Sequence, residues 1–324
     1  MLLGLIERIP TSATVGKVAQ VEGVYLRQGD RVFLISDAVK EPKQAESVLS
    51  HELTHALEEQ RLGSPELSLE SPFADASDAR QAVDEGSATY TQIRYARRYL
   101  ADPKSLAAKL GPPPLDLLAS RLTRFVEDEA DFTYRQGAVF IHALNRRGGP
   151  RLVNRALRQP PRTTASIYQP SRWPAHDRPL PPAGHVTPGP GWARSFATTL
   201  GAASTHQLFF LTGPGPAVVR LVRDWEGGTV ELWQRPSAIA AHAQPTRPTC
   251  VTVLRWRWRA PVDTALARSA IDPYLSGAFR ATRAGNGVWR WPGGGAAVAS
   301  RGTTTTLVLA PSLAVAASTA AAAS

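Results

Sequence analysis

The pentapeptide His51-Glu52-Leu53-Thr54-His55 constrains this chain more than any other stretch of it. On a helix, residues four apart share a face, so His51 and His55 can offer two ring nitrogens to one tetrahedral zinc ion while Glu52 reaches a water on the same metal. The string also arises by chance, so its surroundings decide. They read as one bounded helix from about Pro42 to Leu62. Pro42 suits the first turn, Val48, Leu49, Leu53, Ala56 and Leu57 supply an apolar stripe, and Gly63-Ser64-Pro65 ends it.

Two ligands do not complete a catalytic zinc site; a third must arrive from elsewhere with one position left for water. Glu85 is the candidate, within a second helical stretch from about Asp75 to Leu100 that Asp102-Pro103 closes. Gly86 and Ala88, small residues beside that carboxylate, are expected to let this helix approach the first one closely. Asp84 is the neighbouring alternative, but it points about 100° round the helix and reads better as a solvated or supporting group.

At this point the chain resembles the gluzincin clan of zinc metallopeptidases, on the helix His51 to Gln60 followed by Glu85-Gly86-x-Ala88-Thr89. More narrowly it resembles an uncharacterised bacterial family assigned as metallopeptidases. Two further stretches carry that likeness: Tyr134-Arg135-Gln136-Gly137-Ala138-Val139-Phe140 leading to Gly148-Gly149, and Pro160-Pro161-Arg162-Thr163-Thr164 leading to Ile167-Tyr168-Gln169-Pro170. The likeness covers most of residues 16 to 175 and, more faintly, the C-terminal third. It implies His51, His55 and Glu85 as zinc ligands, Glu52 as general base, and peptide or protein as substrate. A bound zinc would acidify a water and polarise a carbonyl, and Glu52 would remove the water's proton and return it to the leaving amine.

A donor aimed at the developing oxyanion would help such a reaction. Tyr134, Tyr90 and His142 are the candidates, with Tyr134 preferred because it opens a segment shared with the family. In better-known gluzincins an Asp four residues after the third ligand orients one zinc-binding His, whereas here that position is Thr89. Glu59 or Asp84 is the carboxylate expected to stand in.

Composition sets wider bounds. At 324 residues there is room for two modest domains, and 43% hydrophobic content suffices for folded cores. The lone Cys250 excludes an intramolecular disulfide and thiolate zinc sites, and its apolar run, Thr249 to Leu254, reads as a buried strand. Met1-Leu2-Leu3-Gly4-Leu5-Ile6 lacks a basic leader and is interrupted by Glu7-Arg8, and no stretch is apolar enough for a membrane span. The sequence as given thus reads as cytoplasmic. A start further upstream would make it secreted or envelope-associated, since the resembled family often carries an export signal or lipid anchor.

The net charge of +10 reads as arginine spread along the chain, sharpest at Arg255-Trp256-Arg257-Trp258-Arg259. On a strand this run would put both Trp on one face and three Arg on the other, an arrangement that could serve nucleic-acid stacking and phosphate contact or an amphipathic edge. No nucleic-acid module surrounds it.

The organisation predicted is α+β. A zincin-like, mainly helical catalytic domain spans residues 1–168, a Pro-rich connector 169–192, and a small α+β accessory domain 193–324. The first begins with a hairpin, Val18 to Leu26 and Arg31 to Ser36 around Arg27-Gln28-Gly29-Asp30, whose edge would hold extended substrate. Helices follow at about 42–62, 75–100, 114–127, 134–146 and 150–158. In the accessory part, Val218 to Val222 and Thr229 to Trp233 are expected to form a hairpin around Glu226-Gly227-Gly228, Val251 to Trp258 a strand and Pro261 to Phe279 a helix. Strands at Gly287 to Trp291 and Thr303 to Leu309 precede an Ala-rich tail. The reading is a zinc-dependent peptide hydrolase. Its alternatives are a zinc-binding scaffold without turnover and a nucleic-acid binder using Arg255 to Arg259.

Overall fold

The structure, a computed structural model, describes residues 22–35, 39–63, 75–100, 128, 130–182, 184, 186–210 and 216–323. The expected helix at 114–127, the strand residues 18–21 and the N-terminal run lie outside them. The architecture is α+β, and the described residues form two compact units, one mainly helical, ending at Asp177, and one built on a sheet, from Arg178 onward together with Asp75.

The helical unit opens with an antiparallel hairpin, β1 (Gly23–Leu26) and β2 (Arg31–Leu34), turned by Gly29 and Asp30 in left-handed conformation. It lies along α1 (Pro42–Leu62), tied at one end by Gln44 Nε2 donating to Glu22 Oε1 (2.7 Å) and at the other by Gln60 Nε2 donating to Asp30 Oδ2 (2.8 Å). Gly23 marks the closest approach: a Cβ there would lie 2.6 Å from Val48 Cγ1 and 3.0 Å from Glu52 Cγ, so a side chain at this position would displace Glu52.

Helix α2 (Asp75–Tyr99) runs antiparallel to α1, because the polar pairs that join them reverse in order: Tyr95 donates to Glu46, Gln92 to Ser47, and Ser87 to Glu58. The buried face of α1 consists of Ser47, Val48, His51, Glu52 and Ala56. The anticipated apolar stripe therefore divides. Val48 and Ala56 face inward, while Leu49, Leu53 and Leu57, one turn apart along a different face, are exposed, Leu53 by 51%. The histidines occupy the inner face, which is the reverse of helices that hide leucine and expose charge.

Six residues of π-helix, Asp131–Gln136, lead into α3 (Gly137–Arg158). Gly149 (φ 64°) and Pro150 break α3 where two separate helices were expected. Gly86 and Gly137 form the tightest crossing. A Cβ on Gly86 would lie 2.3 Å from the Gly137 carbonyl carbon, and one on Gly137 would lie 2.1 Å from Ala82 O. The smallness of Gly86 thus admits α3 rather than α1, correcting the expectation from sequence. Ala82 and Gly86 share a face of α2 that Glu85 does not.

Part of the stretch read as a connector is core. Asp177 is buried and accepts from Arg162 N (2.6 Å), Thr163 N (3.2 Å), Thr163 Oγ1 (2.9 Å) and Ser166 Oγ (2.7 Å), fastening the start of the short helix α4 (Thr164–Tyr168). That helix abuts the π-helical turn through Tyr168 against Phe132.

The second unit is a seven-stranded antiparallel sheet in the order β3-β4-β5-β9-β8-β7-β6. The strands are β3 (Ala193–Thr199), β4 (Trp225–Gln234), β5 (Cys250–Trp258), β6 (Thr282–Gly285), β7 (Val288–Trp291), β8 (Gly294–Arg301) and β9 (Thr304–Ala310). One face carries Leu254, Trp256, Trp258 and Leu307. Trp256 packs with Phe209 of α5 (Ala202–Phe210), and that phenylalanine meets Tyr274 of α8 (Val262–Phe279), which follows the short α7 (Pro236–Ala240) in the chain. The other face, with Val251, Val253, Ala297 and Val308, is covered by Ala316 and Ala320 of α9 (Leu313–Ala321), the Ala-rich tail. Cys250 is buried, and burial pushes its thiol up to about 11.

Two expectations fail here. Residues Pro216–Arg223 form a helix, α6, rather than a strand; Val218, Leu221 and Val222 are buried while Val219 and Arg220 are exposed, a helical period. The excess charge is not spread along the chain either. From Arg178 onward there are fourteen arginines, no lysine and five acidic residues, so +9 of the +10 lies in that part of the chain. Alternation on β5 is as expected, but Trp256 and Trp258 are core, their ring N–H groups donating to Thr205 Oγ1 and Thr305 Oγ1 at 3.0 Å, so neither can stack on a base. Arg255 is also buried, its Nη1 donating to Gly184 O at 2.6 Å.

Candidate metal centre

Three side-chain atoms converge between α1 and α2. His51 Nε2 lies 3.1 Å from His55 Nε2 and 3.1 Å from Glu85 Oε2, and His55 Nε2 lies 3.4 Å from the same oxygen. Nitrogen and oxygen ligands sit about 2.0–2.1 Å from a tetrahedral zinc, which sets them about 3.3 Å apart. The triangle has that size, and His51, His55 and Glu85 could hold a metal ion. Helical spacing brings the two imidazoles together, ring centroids 4.8 Å apart, and the antiparallel α2 delivers Glu85 opposite them.

The electrostatics are those of a cation site. Burial opposes ionisation of Glu85, but hydrogen bonds and charge from His51 and His55 outweigh it and bring the carboxyl down to about 2. Burial works against a charged His55 as well, yet the hydrogen bond to Glu85 and the negative charges of Glu85, Glu52 and Glu58 raise its pKa. Burial pushes Glu58 up to about 7, against the hydrogen bond that Ser87 Oγ donates to it at 2.5 Å and the pull of His55.

Glu52 is buried on α1 between the two histidines, close enough for its charge to act on His55 and on Tyr134. Tyr134 lies across the site on the π-helical turn, its ring centroid 6.1 Å from that of His51. Burial, then the charges of Glu85 and Glu52, push its hydroxyl up to about 12, so it keeps its proton at neutral pH. The Gly86–Gly137 crossing, one helical turn away, is what brings Tyr134 there. Tyr90 and His142 face each other instead, ring centroids 5.8 Å apart, with Asn145 Nδ2 donating to the Tyr90 hydroxyl at 3.2 Å.

Both carboxylates expected to support the centre meet arginine. Glu59 pairs with Arg27 (3.3 Å) and Asp84 with Arg80 (3.6 Å). Thr89 Oγ1 is buried without a hydrogen-bond partner among the described residues. Glu58, which the sequence reading passed over, clamps α1 to α2 through Ser87, two residues from Glu85. The available signal was its position seven residues after His51, two turns along the same face.

Compared with known proteins, the chain matches no protein-family model, no curated protein and no solved structure. The centre stands on its own geometry.

Proposed function

We propose that the helical unit is a metal-dependent hydrolase, with zinc held by His51, His55 and Glu85. Within that class the motif arrangement favours a gluzincin-type peptidase acting on peptide or protein substrates. The observation that carries the reading is the triangle of two imidazole nitrogens and one carboxylate oxygen with edges of 3.1, 3.1 and 3.4 Å.

Zinc bound there would polarise a substrate carbonyl and acidify a water molecule. The protein's own groups do the rest. Glu52 takes the water's proton and returns it to the departing amine. Tyr134, kept protonated by its surroundings, donates a hydrogen bond to the oxygen that gains charge. Gly23 leaves room for the Glu52 side chain, and the hairpin's outer edge, unpaired among the described residues, offers backbone groups to an extended substrate.

The test is zinc content and peptide turnover of the wild type and of Glu52→Gln, which preserves shape and removes the base. Zinc retained in both, with turnover in the variant reduced by about 10²–10⁴, supports the reading. A zinc-loaded wild type that cleaves no peptide would make the centre a scaffold, and equal turnover in the variant would remove Glu52 from the chemistry.

A further inference from the structure

The five acidic residues from Arg178 onward are all engaged by arginine. Asp224 meets Arg220, Arg223 and Arg259 (3.5, 3.3 and 3.5 Å), Asp263 meets Arg220 (3.2 Å) and Glu226 meets Arg259 (3.2 Å). Glu231 pairs with Arg194 (3.4 Å) and Asp272 with Arg283 (3.2 Å). Asp224 and Asp263 are buried, so the first of these networks places anions beneath the surface and half-exposed guanidinium groups upon it. That network gathers one end of the sheet into a single patch. It joins α6, the start of β4, the segment after β5 and the start of α8.

The same patch exposes aliphatic side chains. Val219, 66% exposed, precedes Arg220 on α6 and sits one turn before Arg223; Val262, 59% exposed, precedes Asp263, to which Arg220 is bonded. Leu180 N donates to Glu226 O at 2.7 Å, which brings the exposed Leu180 and the neighbouring Arg178 to the same place. Of the four large hydrophobic residues exposed among the described residues of this unit, only Phe196 lies elsewhere. Arginines interleaved with protruding aliphatic groups suit an interface of phosphate over hydrocarbon.

We propose that this end of the sheet unit docks on an anionic lipid surface, Leu180, Val219 and Val262 entering the headgroup layer while Arg178, Arg220, Arg223 and Arg259 meet lipid phosphates. Nucleic acid would use the arginines but gain nothing from the aliphatic residues, and the tryptophans that could stack on bases are buried. The attachment is peripheral, since no helix among the described residues is long and apolar enough to cross a membrane. It weakens with salt, and each positive charge left uncompensated near such a surface contributes about fivefold to partitioning.

The experiment is co-sedimentation of the full chain with vesicles of phosphatidylcholine alone or with about one third phosphatidylglycerol. Thermal melting is run on every variant to show that it is folded. Binding is expected to the anionic vesicles only. Val219→Ser combined with Val262→Ser, changes at exposed positions that leave charge untouched, should weaken it about tenfold or more. Arg178→Glu combined with Arg223→Glu should abolish it. A folded wild type that ignores anionic vesicles overturns the proposal, as does full binding by the serine variant. Tighter binding to a duplex oligonucleotide that the serine variant retains would assign the patch to nucleic acid instead.

Discussion

The two units bury acidic residues for opposite ends. In the sheet unit, Asp224 and Asp263 sit under a surplus of arginine, so their charge is neutralised by the protein itself. In the helical unit, Glu52, Glu58, Asp84 and Glu85 crowd round His51 and His55, and among the described residues Arg80, beside Asp84, is the permanent cation paired with any of the four. Buried carboxylates supplied with guanidinium groups are scaffolding; buried and half-buried carboxylates facing imidazoles with few cations leave a charge that a metal could satisfy. The contrast separates a region that could hold a cation from one that presents cations outward.

The largest expected effect probes the sheet unit as scaffold. Trp256→Ala removes a fully buried indole and its hydrogen bond to Thr205, and should cost about 3–5 kcal/mol in denaturant unfolding of that unit. A loss below 1 kcal/mol would mean that the indole is not core and would reopen the tryptophan face to ligands. In the helical unit, Gly86→Ala forces a methyl against the Gly137 backbone and should cost about 3 kcal/mol, lowering zinc retention because Tyr134 and α2 shift together. A variant as stable as the wild type would deny the crossing its role.

A smaller effect sharpens the account of the centre. Ser87→Ala removes the hydrogen bond to Glu58 and should weaken zinc binding about tenfold in a chelator competition. Unchanged affinity would reduce the Glu58–Ser87 clamp to a surface contact. The smallest concerns pH. Glu58, raised from 4.5 to about 7, and His55, raised from 6.5, hold protons more tightly folded than unfolded, so metal-free stability falls as pH rises from about 4.5 through 7. Glu85, lowered from 4.5 to about 2, acts oppositely; its contribution is present above 4.5 and lost as pH falls towards 2. In chelator, the melting temperature should therefore peak near pH 5 and drop by a few degrees towards pH 8, and zinc should remove the part of that drop that His55 contributes, because it competes with protons for that ligand. A flat profile in chelator would contradict the assigned shifts.

What could be read from sequence follows how far apart in the chain the interacting residues lie. The His51–His55 pairing is one turn of helix and is visible in any listing of the residues. Glu85 required only a second helix and a choice between adjacent acids, which helical geometry settles by direction. Glu58 escaped because its partner Ser87 lies 29 residues away, and its place two turns after His51 was a weak local sign beside the adjacent Glu59. Helix α6 was misread because Val-Val and Leu-Val suggest a strand, although burial at 218, 221 and 222 follows a period nearer four than two. Strand β8 was missed for the converse reason. Gly294-Gly295-Ala296-Ala297 has little strand preference of its own and is held by pairing with β7 and β9. The lipid-facing patch was invisible as well, since its charges come from three stretches, at Arg178, Arg220 to Glu226 and Arg259 to Asp263, that tertiary ion pairs and the Leu180–Glu226 backbone hydrogen bond unite.

The most direct test of the central claim is the zinc stoichiometry of the purified chain, measured by metal analysis after dialysis for the wild type, His55→Ala and Glu85→Ala. The account predicts one zinc per wild-type chain, none retained by His55→Ala, and affinity reduced at least about tenfold in Glu85→Ala. A wild-type chain that binds no zinc, or variants that bind it as tightly as the wild type, would contradict it.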